Sequence, residues 1–233
     1  MFGAMILAAG RGERMRPLSD ATPKPLLRAD GKPLIVWQIE ALARAGFRDV
    51  VINASHHARQ LMDALRGGSA WGVVIRWSVE ETPLETAGGI ATASPLLPPG
   101  PALIVSGDIW TTFDYSTLLP RANAMASDPN SPRVHLVMVP NAPYHGSGDF
   151  ALRDGMLSAE GNDKLVYGNI GVHDTALFRG LPRGVPLRLL PLWRQWMSRG
   201  IVSGERFEGP WANIGTPADL AALDVRLINS SQR

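Results

Sequence analysis

Four groups of side chains in this 233-residue chain have types and spacings suited to chemistry on phosphates. The first is Leu7-Ala8-Ala9-Gly10-Arg11-Gly12-Glu13-Arg14-Met15-Arg16-Pro17, followed by Thr22-Pro23-Lys24-Pro25-Leu26-Leu27. Small residues and glycines after an apolar run let backbone N–H groups approach a phosphate chain with no Cβ in the way. Arg14 adds a planar fork of donors that can hold two phosphate oxygens, and Lys24 a compact charge beyond a proline-limited turn. The second group is Val105-Ser106-Gly107-Asp108, which sets a carboxylate just past an apolar run. That acid can hold Mg²⁺, an ion that takes one or two protein carboxylates alongside phosphate oxygens and water, or it can cap a turn. The third is Glu80-Glu81-Thr82-Pro83-Leu84-Glu85-Thr86-Ala87-Gly88-Gly89-Ile90. Here Gly88 and Gly89 would admit a nucleobase against backbone amides, with Ile90 starting a helix and Glu80 accepting from a base N–H. An acidic surface turn before an Ala/Gly-rich helix fits the same residues. The fourth is Trp211-Ala212-Asn213-Ile214-Gly215-Thr216-Pro217, whose Asn213 offers a carbonyl oxygen without charge.

Two familiar phosphate motifs are absent. No G-x-x-x-x-G-K-[ST] occurs, which argues against a P-loop NTPase. G-x-G-x-x-G also fails, since Arg16-Pro17 follows where its third glycine would be, so a dehydrogenase-type dinucleotide site is not expected.

The elements needed to position these groups follow from the apolar patterning. Ala4–Ala9, Asp49–Asn53, Val73–Ser78 and Ala102–Ser106 read as strands, and Leu34–Ala45 and Arg59–Leu65 as helices between them. That alternation predicts an α/β fold, Rossmann-like and doubly wound, with a predominantly parallel mixed sheet. In such a sheet ligands sit at the carboxyl ends of the strands, where Gly10 and Asp108 fall. After Val134–Val139 come short segments that look antiparallel, at Phe150–Leu152, Gly155–Leu157 and Lys164–Val172. Helices are expected over Leu187–Ser198 and Pro217–Ile228. With no repeat, low-complexity tract or linker, residues 1–233 read as one domain, with a nucleotide-binding half over 1–115 and a sugar-binding half over 134–228.

Composition narrows the class. Hydrophobic residues at 45% and charged ones at 19% are globular values. No apolar run approaches the roughly 20 residues that span a bilayer. The first residues have no basic leader before the glycine loop, so a cytoplasmic protein without a membrane role is expected. Zero cysteines excludes disulfides, thiolate metal sites and thiol nucleophiles. A net charge of +2, with no aromatic-and-basic stripe, does not suit nucleic acid. Residues 1–32 hold six basic and three acidic residues, whereas the remainder holds 17 basic and 18 acidic. The positive field therefore lies beside the glycine loop and suits a phosphate-rich small molecule.

LAAGRGERMRPLSDATPKPLL, followed by GKPLI, resembles the sugar-1-phosphate nucleotidyltransferase family, and the similarity runs nearly end to end. The resemblance implies that Leu7, Ala8, Ala9, Gly10, Arg11, Gly12, Glu13 and Arg14 wrap a nucleoside triphosphate. It places Lys24 on the phosphates, with Arg14 and Lys24 as the catalytic cations, and gives Glu80, Glu85, Gly88 and Gly89 the base. Asp108 matches a metal-binding aspartate, which implies Mg²⁺. Asn213 stands where relatives usually carry a second metal-binding aspartate, so Asp114 or Asp149 could assist. The asparagine common two residues before Asp108 is Ser106 here.

Gly146-Ser147-Gly148-Asp149-Phe150 and Tyr167-Gly168-Asn169-Ile170 match strands that flank the sugar, which assigns Ser106, Gly148, Asp149, Gly168 and Asn169 to that substrate. Asn169 stands where a glycine is usual. The H-x-x-G-D-F pattern led by Tyr144 and His145, together with ETAGGI and Val202-Ser203-Gly204-Glu205, is most similar to the N-acetylmuramate-1-phosphate uridylyltransferases of cell-wall recycling. The substrates implied are UTP and N-acetylmuramate 1-phosphate. Mannose and heptose guanylyltransferases share several of these features, and Asn213 would also suit a nucleotide-sugar sensor with reduced catalysis. Of the remaining candidates, His56 and His57 read as helix-start packing, Lys164 as a turn lysine, and Trp37, Trp193 and Trp196 as core. Trp211 is expected near the site.

Overall fold

The computed structural model describes residues 2–141 and 146–231, so Tyr144 and His145 lie outside the described residues. Its elements in chain order begin with β1 (Gly3–Leu7), α1 (Leu18–Ala21), β2 (Arg28–Ala29), β3 (Lys32–Pro33), α2 (Leu34–Arg44) and β4 (Asp49–Ala54). Next come α3 (Ala58–Leu65), β5 (Val74–Val79), α4 (Glu85–Ala93), β6 (Pro101–Ser106), β7 (Ile109–Thr111) and α5 (Leu119–Ser127). The remainder is β8 (Val134–Val139), β9 (Ala151–Arg153), β10 (Met156–Ser158), β11 (Val166–Asp174), α6 (Leu189–Ser198), β12 (Val202–Arg206), β13 (Trp211–Asn213) and α7 (Pro217–Ser231).

Nine strands form one sheet in the order β5-β4-β1-β6-β11-β8-β12-β10-β9. The pairings β4 with β5, β1 with β4, β1 with β6 and β8 with β12 are parallel. β11 runs against both β6 and β8, and β10 against both β12 and β9, so among the described residues only these two strands oppose the rest. The sheet is mixed and mostly parallel, as the alternation of apolar runs and helices requires.

Strands buried on both faces explain the continuous apolar runs. On β1, Ala4 and Ile6 face a core shared with α2 and α5, while Met5 faces a second core shared with α4 and α6. On β6, Leu103 and Val105 join the first core, and Ala102 and Ile104 the second. A third, smaller cluster holds α7 through Leu223 and Leu227 against Met15, Leu34, Trp110 and Ile214. It ties the arginine loop to the Ile214 segment.

One expectation changes. Helix α4 begins at Glu85 rather than at Ile90, which places Gly88 and Gly89 inside it. The three short segments after β8 are antiparallel as expected, and β12, which follows them, adds to β8 in parallel register. Finally, β7 and β13 form a separate two-stranded ladder in which Asn213 pairs with Ile109.

Candidate functional site

Strand register assembles the site. Leu7 is partnered by Asn53 on β4 and by Ser106 on β6, so the segments leaving these three strands emerge side by side. Gly107 N–H donates to Leu7 O at 2.9 Å, and a Cβ on Gly107 would lie 3.2 Å from that oxygen. The glycine thus lets the chain turn tightly against β1 and present Asp108.

Lys24 Nζ donates to Asp108 Oδ2 at 2.5 Å, a contact between residues 84 apart in sequence. Lys24 reaches it past Gly12, which has φ 64° and whose missing Cβ would sit 3.0 Å from Lys24 Cβ. Both the left-handed backbone and the close approach require glycine. Ser19 Oγ and Met15 N–H hold Gly12 O at 2.8 Å each, fixing the bend.

Arg14 lies on the same side. A Cβ on Gly215 would be 3.2 Å from Arg14 Nη1 and 3.4 Å from its Cζ, so the guanidinium rests on the bare glycine. Ile214 N–H, one residue earlier, donates to Asp108 O at 2.9 Å. The Gly215–Thr216 turn is clamped by Asp219 Oδ2, which accepts from Gly215 N, Thr216 N and Thr216 Oγ1 at 3.0, 2.8 and 2.8 Å. Arg14 is exposed and has no ion-pair partner among the described residues.

Of these residues Lys24 and Asp108 border a cleft of about 340 Å³ that is also lined by Leu7, Ala8, Ala9, Gly10, Glu80, Glu85 and Ser106, among others. Gly12 and the exposed Arg11, Glu13 and Arg14 lie outside that lining. A cavity of about 290 Å³ continues from it, sharing Leu7, Glu85, Thr86 and Ser106 and adding Tyr167, Asn169, His173 and Trp193. A third of about 370 Å³ shares Tyr167, Asn169 and Trp193 and adds Asp149, Trp211 and Asn213. The result is one groove across the carboxyl ends of β1 and β6 and the amino-terminal half of the oppositely directed β11, with paired charges at one end and aromatic rings at the other.

Glu80 is built into this wall as a brace. It is 4% exposed; Oε1 accepts from Asn53 Nδ2 at 2.7 Å and Oε2 from Leu84 N–H at 3.0 Å. Asn53 Oδ1 in turn accepts from Ala8 N–H at 2.8 Å, so the network holds the start of the glycine loop. Replacing Asn53 with alanine would orphan the Ala8 donor and a Glu80 oxygen. It should cost about 2 kcal/mol of stability, measured by urea unfolding, and a loss under about 0.5 kcal/mol would contradict the role given to this network.

Gly88 and Gly89 do not line the cleft. A Cβ on Gly88 would fall 2.2 Å from Val185 O, and one on Gly89 2.8 Å from Asn53 Nδ2 and Glu80 Oε1. Their smallness lets α4 pack closely against the backbone at Val185 and against Asn53 and Glu80. At the other end Gly148 (φ 60°) packs on Lys164, with a Cβ position 2.5 Å from Lys164 O, and it too lies outside the lining. Gly168 is buried, accepting at its carbonyl from Trp211 Nε1 at 2.8 Å. Ser106, Asp149 and Asn169 do face the groove. Asn169 has φ 59°, at a register break between Tyr167 and Gly171 of β11. Asparagine is among the few residues that tolerate this left-handed conformation, which accounts for its standing at a glycine position.

The auxiliary acids are otherwise engaged. Asp114 accepts from Ser116 N–H at 2.9 Å, and that hydrogen bond holds its carboxyl below the usual carboxylate range. Asp149 Oδ2 accepts from Tyr167 N–H at 2.8 Å. No group of three His, Cys, Asp or Glu residues suited to a metal ion occurs among the described residues. His57 occupies the start of α3 with its ring 3.9 Å from that of His56, away from the groove.

The lining residues that sequence reasoning missed include Asn53, Thr86, His173, Arg188 and Trp193. Trp193 is a core residue, as its helical spacing implies, yet it also floors the groove edge-on to Tyr167 at 4.7 Å. It donates through Nε1 to His173 Nε2 at 3.3 Å, while His173 Nδ1 faces Gly171 O at 3.3 Å. The carbonyl can only accept and the indole can only donate, so this histidine is neutral with its proton on Nδ1. Burial pushes its pKa down to about 4, against a weaker upward pull from the Gly171 carbonyl. Between about pH 6.5 and about 4 the unfolded chain binds a proton that the folded chain refuses, so stability falls as pH falls through that window. Urea midpoints at pH 7 and pH 5 should therefore separate more for the native chain than for His173→Gln; equal separations would contradict this.

The nucleotidyl transferase family model matches residues 3–148, which include the glycine loop, Lys24 and Asp108. The chain belongs to this family. As a nucleotidyl transferase it is 45% identical over 217 residues to the N-acetylmuramate alpha-1-phosphate uridylyltransferase of Neisseria meningitidis serogroup B, covering 91% of this chain and 93% of that one. It is 33% identical to the protein of the same name from Caulobacter vibrioides, covering 96% of each. A solved Bacillus anthracis structure, described as a glucose-1-phosphate thymidylyltransferase, superposes with a TM-score of 0.85 at 17% identity, over 97% of this chain and 95% of that one, which shows a common fold. Nucleotidyl transferases of this kind generally use a divalent metal. No helix among the described residues is long and apolar enough to cross a membrane.

Proposed function

We propose that this enzyme joins UTP to N-acetylmuramate 1-phosphate, forming UDP-N-acetylmuramate and pyrophosphate, in the cytoplasm and in the service of peptidoglycan recycling. The observation that carries the reading is the Lys24–Asp108 pair at 2.5 Å, set in a cleft under the glycine loop. Identity of 45% over nearly the whole length of the Neisseria uridylyltransferase supports the choice of substrates. Residues 1–115 would bind the nucleotide and residues 134–228 the sugar, within one domain.

In this reading a phosphate oxygen of the sugar 1-phosphate attacks the α-phosphorus of UTP in line. A new P–O bond forms as the bond from the α-phosphorus to the bridging oxygen breaks, and pyrophosphate leaves with that electron pair. The nucleophile is already an anion, so no side chain need take a proton. Rate enhancement rests on positioning and on neutralising charge. Amides of Ala9 to Gly12 hold the triphosphate, with Arg14 and Lys24 on its oxygens. Uracil lies along the Glu80–Glu85 wall, and the sugar lies on Tyr167 and Trp193 beside Asp149 and Asn169.

The donor set fits a magnesium ion completed by substrate. Asp108 is one carboxylate, its side chain 32% exposed and only Oδ2 taken by Lys24, and Asn213 supplies a neutral oxygen nearby. One carboxylate plus an amide is enough where phosphates and water supply the remaining ligands. When bound there, the ion would neutralise charge on the phosphates.

Pyrophosphate release from UTP, Mg²⁺ and N-acetylmuramate 1-phosphate tests the reading directly. The same assay with GTP and mannose or heptose 1-phosphates covers the guanylyl alternative, and faster turnover of those pairs would replace the uridylyl assignment. Asn213 motivates one reading of another class, a nucleotide-sugar sensor. Tight binding of UDP-N-acetylmuramate with no pyrophosphate release from any pair would favour it.

A further inference from the structure

The aromatic end of the groove carries few charges. Among the described residues lining its two cavities, Glu85 and Asp149 are acidic, His173 is neutral, and Arg188 alone is cationic. The position of Arg188 is fixed by its neighbour. Leu187 N–H donates to Leu84 O at 2.9 Å, and Leu187 O accepts from Ala87 N–H and Gly88 N–H at 2.9 and 3.1 Å. These bonds pin the chain to the start of α4, on the groove wall. The side chain itself is loosely held. Its nearest acid is Glu85, with Nε 3.8 Å from Oε1, longer than a hydrogen bond, and the Arg188 side chain is 80% exposed. A guanidinium fixed at its root and uncommitted at its tip is suited to meeting a ligand.

We propose that Arg188 is the counter-ion for a carboxylate on the sugar, and so the residue that separates an acidic sugar 1-phosphate from its neutral counterpart. This rests on the functional reading above. N-acetylmuramate carries a lactyl ether that ends in a carboxylate, and N-acetylglucosamine differs from it by lacking that ether. Entering beside Glu85 and Asp149, the extra carboxylate meets like charge unless a cation offsets it. Arg188 supplies that cation in the form best matched to a carboxylate, a planar two-donor fork. A neutral sugar makes no such demand.

The test compares kcat/KM for N-acetylmuramate 1-phosphate and N-acetylglucosamine 1-phosphate, with UTP and Mg²⁺ saturating, in the native chain, Arg188→Ala and Arg188→Lys. Loss of one charge-assisted pair should lower the acidic-to-neutral ratio about 10- to 100-fold in Arg188→Ala, mostly through KM of the acidic sugar. Lysine should recover part of the ratio. A ratio within about twofold of the native value in Arg188→Ala overturns the proposal, as does an equal fall for both sugars, which would mark a merely structural residue. Thermal melting of each variant checks folding. A native chain that turns over neither sugar but converts another sugar 1-phosphate overturns the functional reading and this proposal together. Native turnover of the acidic sugar with an unmoved ratio in the variant overturns the proposal alone.

Discussion

Replacing Asp108 with asparagine is expected to lower kcat by about 10³-fold, on the order of 4 kcal/mol of transition-state stabilisation, while leaving the fold intact. The substitution keeps the shape of the side chain and an oxygen to accept from Lys24, so the 2.5 Å contact and the Asp108 O to Ile214 N–H bond both persist. What disappears is the charge. In the native site that carboxylate is the acid paired with Lys24; of the other acids lining the cleft, Glu80 is tied to Asn53 and Leu84 and Glu85 lies toward Arg188, while Asn213 is neutral and Asp114 caps a turn. A magnesium ion held at this point loses its anionic protein ligand, and the Mg²⁺ concentration for half-maximal rate should rise along with the fall in kcat. Steady-state kinetics across a magnesium titration measure both. A variant with unaltered magnesium dependence and a kcat within about threefold of native would remove Asp108 from the site. Alanine should be worse behaved than asparagine, since it also leaves the Lys24 ammonium, whose side chain is 10% exposed, without a partner.

How much of this could be read from the chain depends on how local the signal is. The glycine loop and Asp108 are legible because each follows an apolar strand directly, and a turn of two or three residues suffices to expose it. Their convergence follows from parallel pairing of β1 with β6, which sets the ends of the two strands side by side. Gly88 and Gly89 are read in sequence without the contacts that the fold brings to them. A glycine in sequence announces that something comes close, but not from which side, and here Val185, Asn53 and Glu80 do so from within the protein. Asn53 and Arg188 leave no trace because their partners, Ala8 and the groove wall, lie far away in sequence. Helix α5 escapes notice since only Ala122 and Met125 of its nine residues are buried, too few to mark a period. Strand β12, reading Val-Ser-Gly-Glu-Arg, lacks an apolar alternation because its burial comes from β8 beside it. Asn169 illustrates the converse: a departure from the usual glycine that the left-handed backbone at that point explains.

Arg14→Ala should lose about 10²- to 10³-fold in kcat/KM, or about 2.7–4 kcal/mol, the range for removing one preorganised donor from a site of developing charge. In the folded chain Arg14 holds no structural ion pair among the described residues, and its guanidinium lies against Gly215 instead. A surface arginine of that kind contributes little to stability, so thermal unfolding of the variant should match the native chain within about 0.5 kcal/mol. Substantial loss of activity without loss of stability would locate its contribution in the reaction. Arg14→Lys restores the charge but not the planar pair of donors, and should recover only part of the rate. A second variant probes the seat rather than the cation. At Gly215→Ala the new Cβ falls 3.2 Å from Nη1 and must push the guanidinium aside. Activity should then drop with Arg14 still present, by less than in Arg14→Ala because a displaced cation still attracts phosphate. Near-native rates in both Arg14→Ala and Gly215→Ala would mean that the triphosphate is held without this side of the cleft.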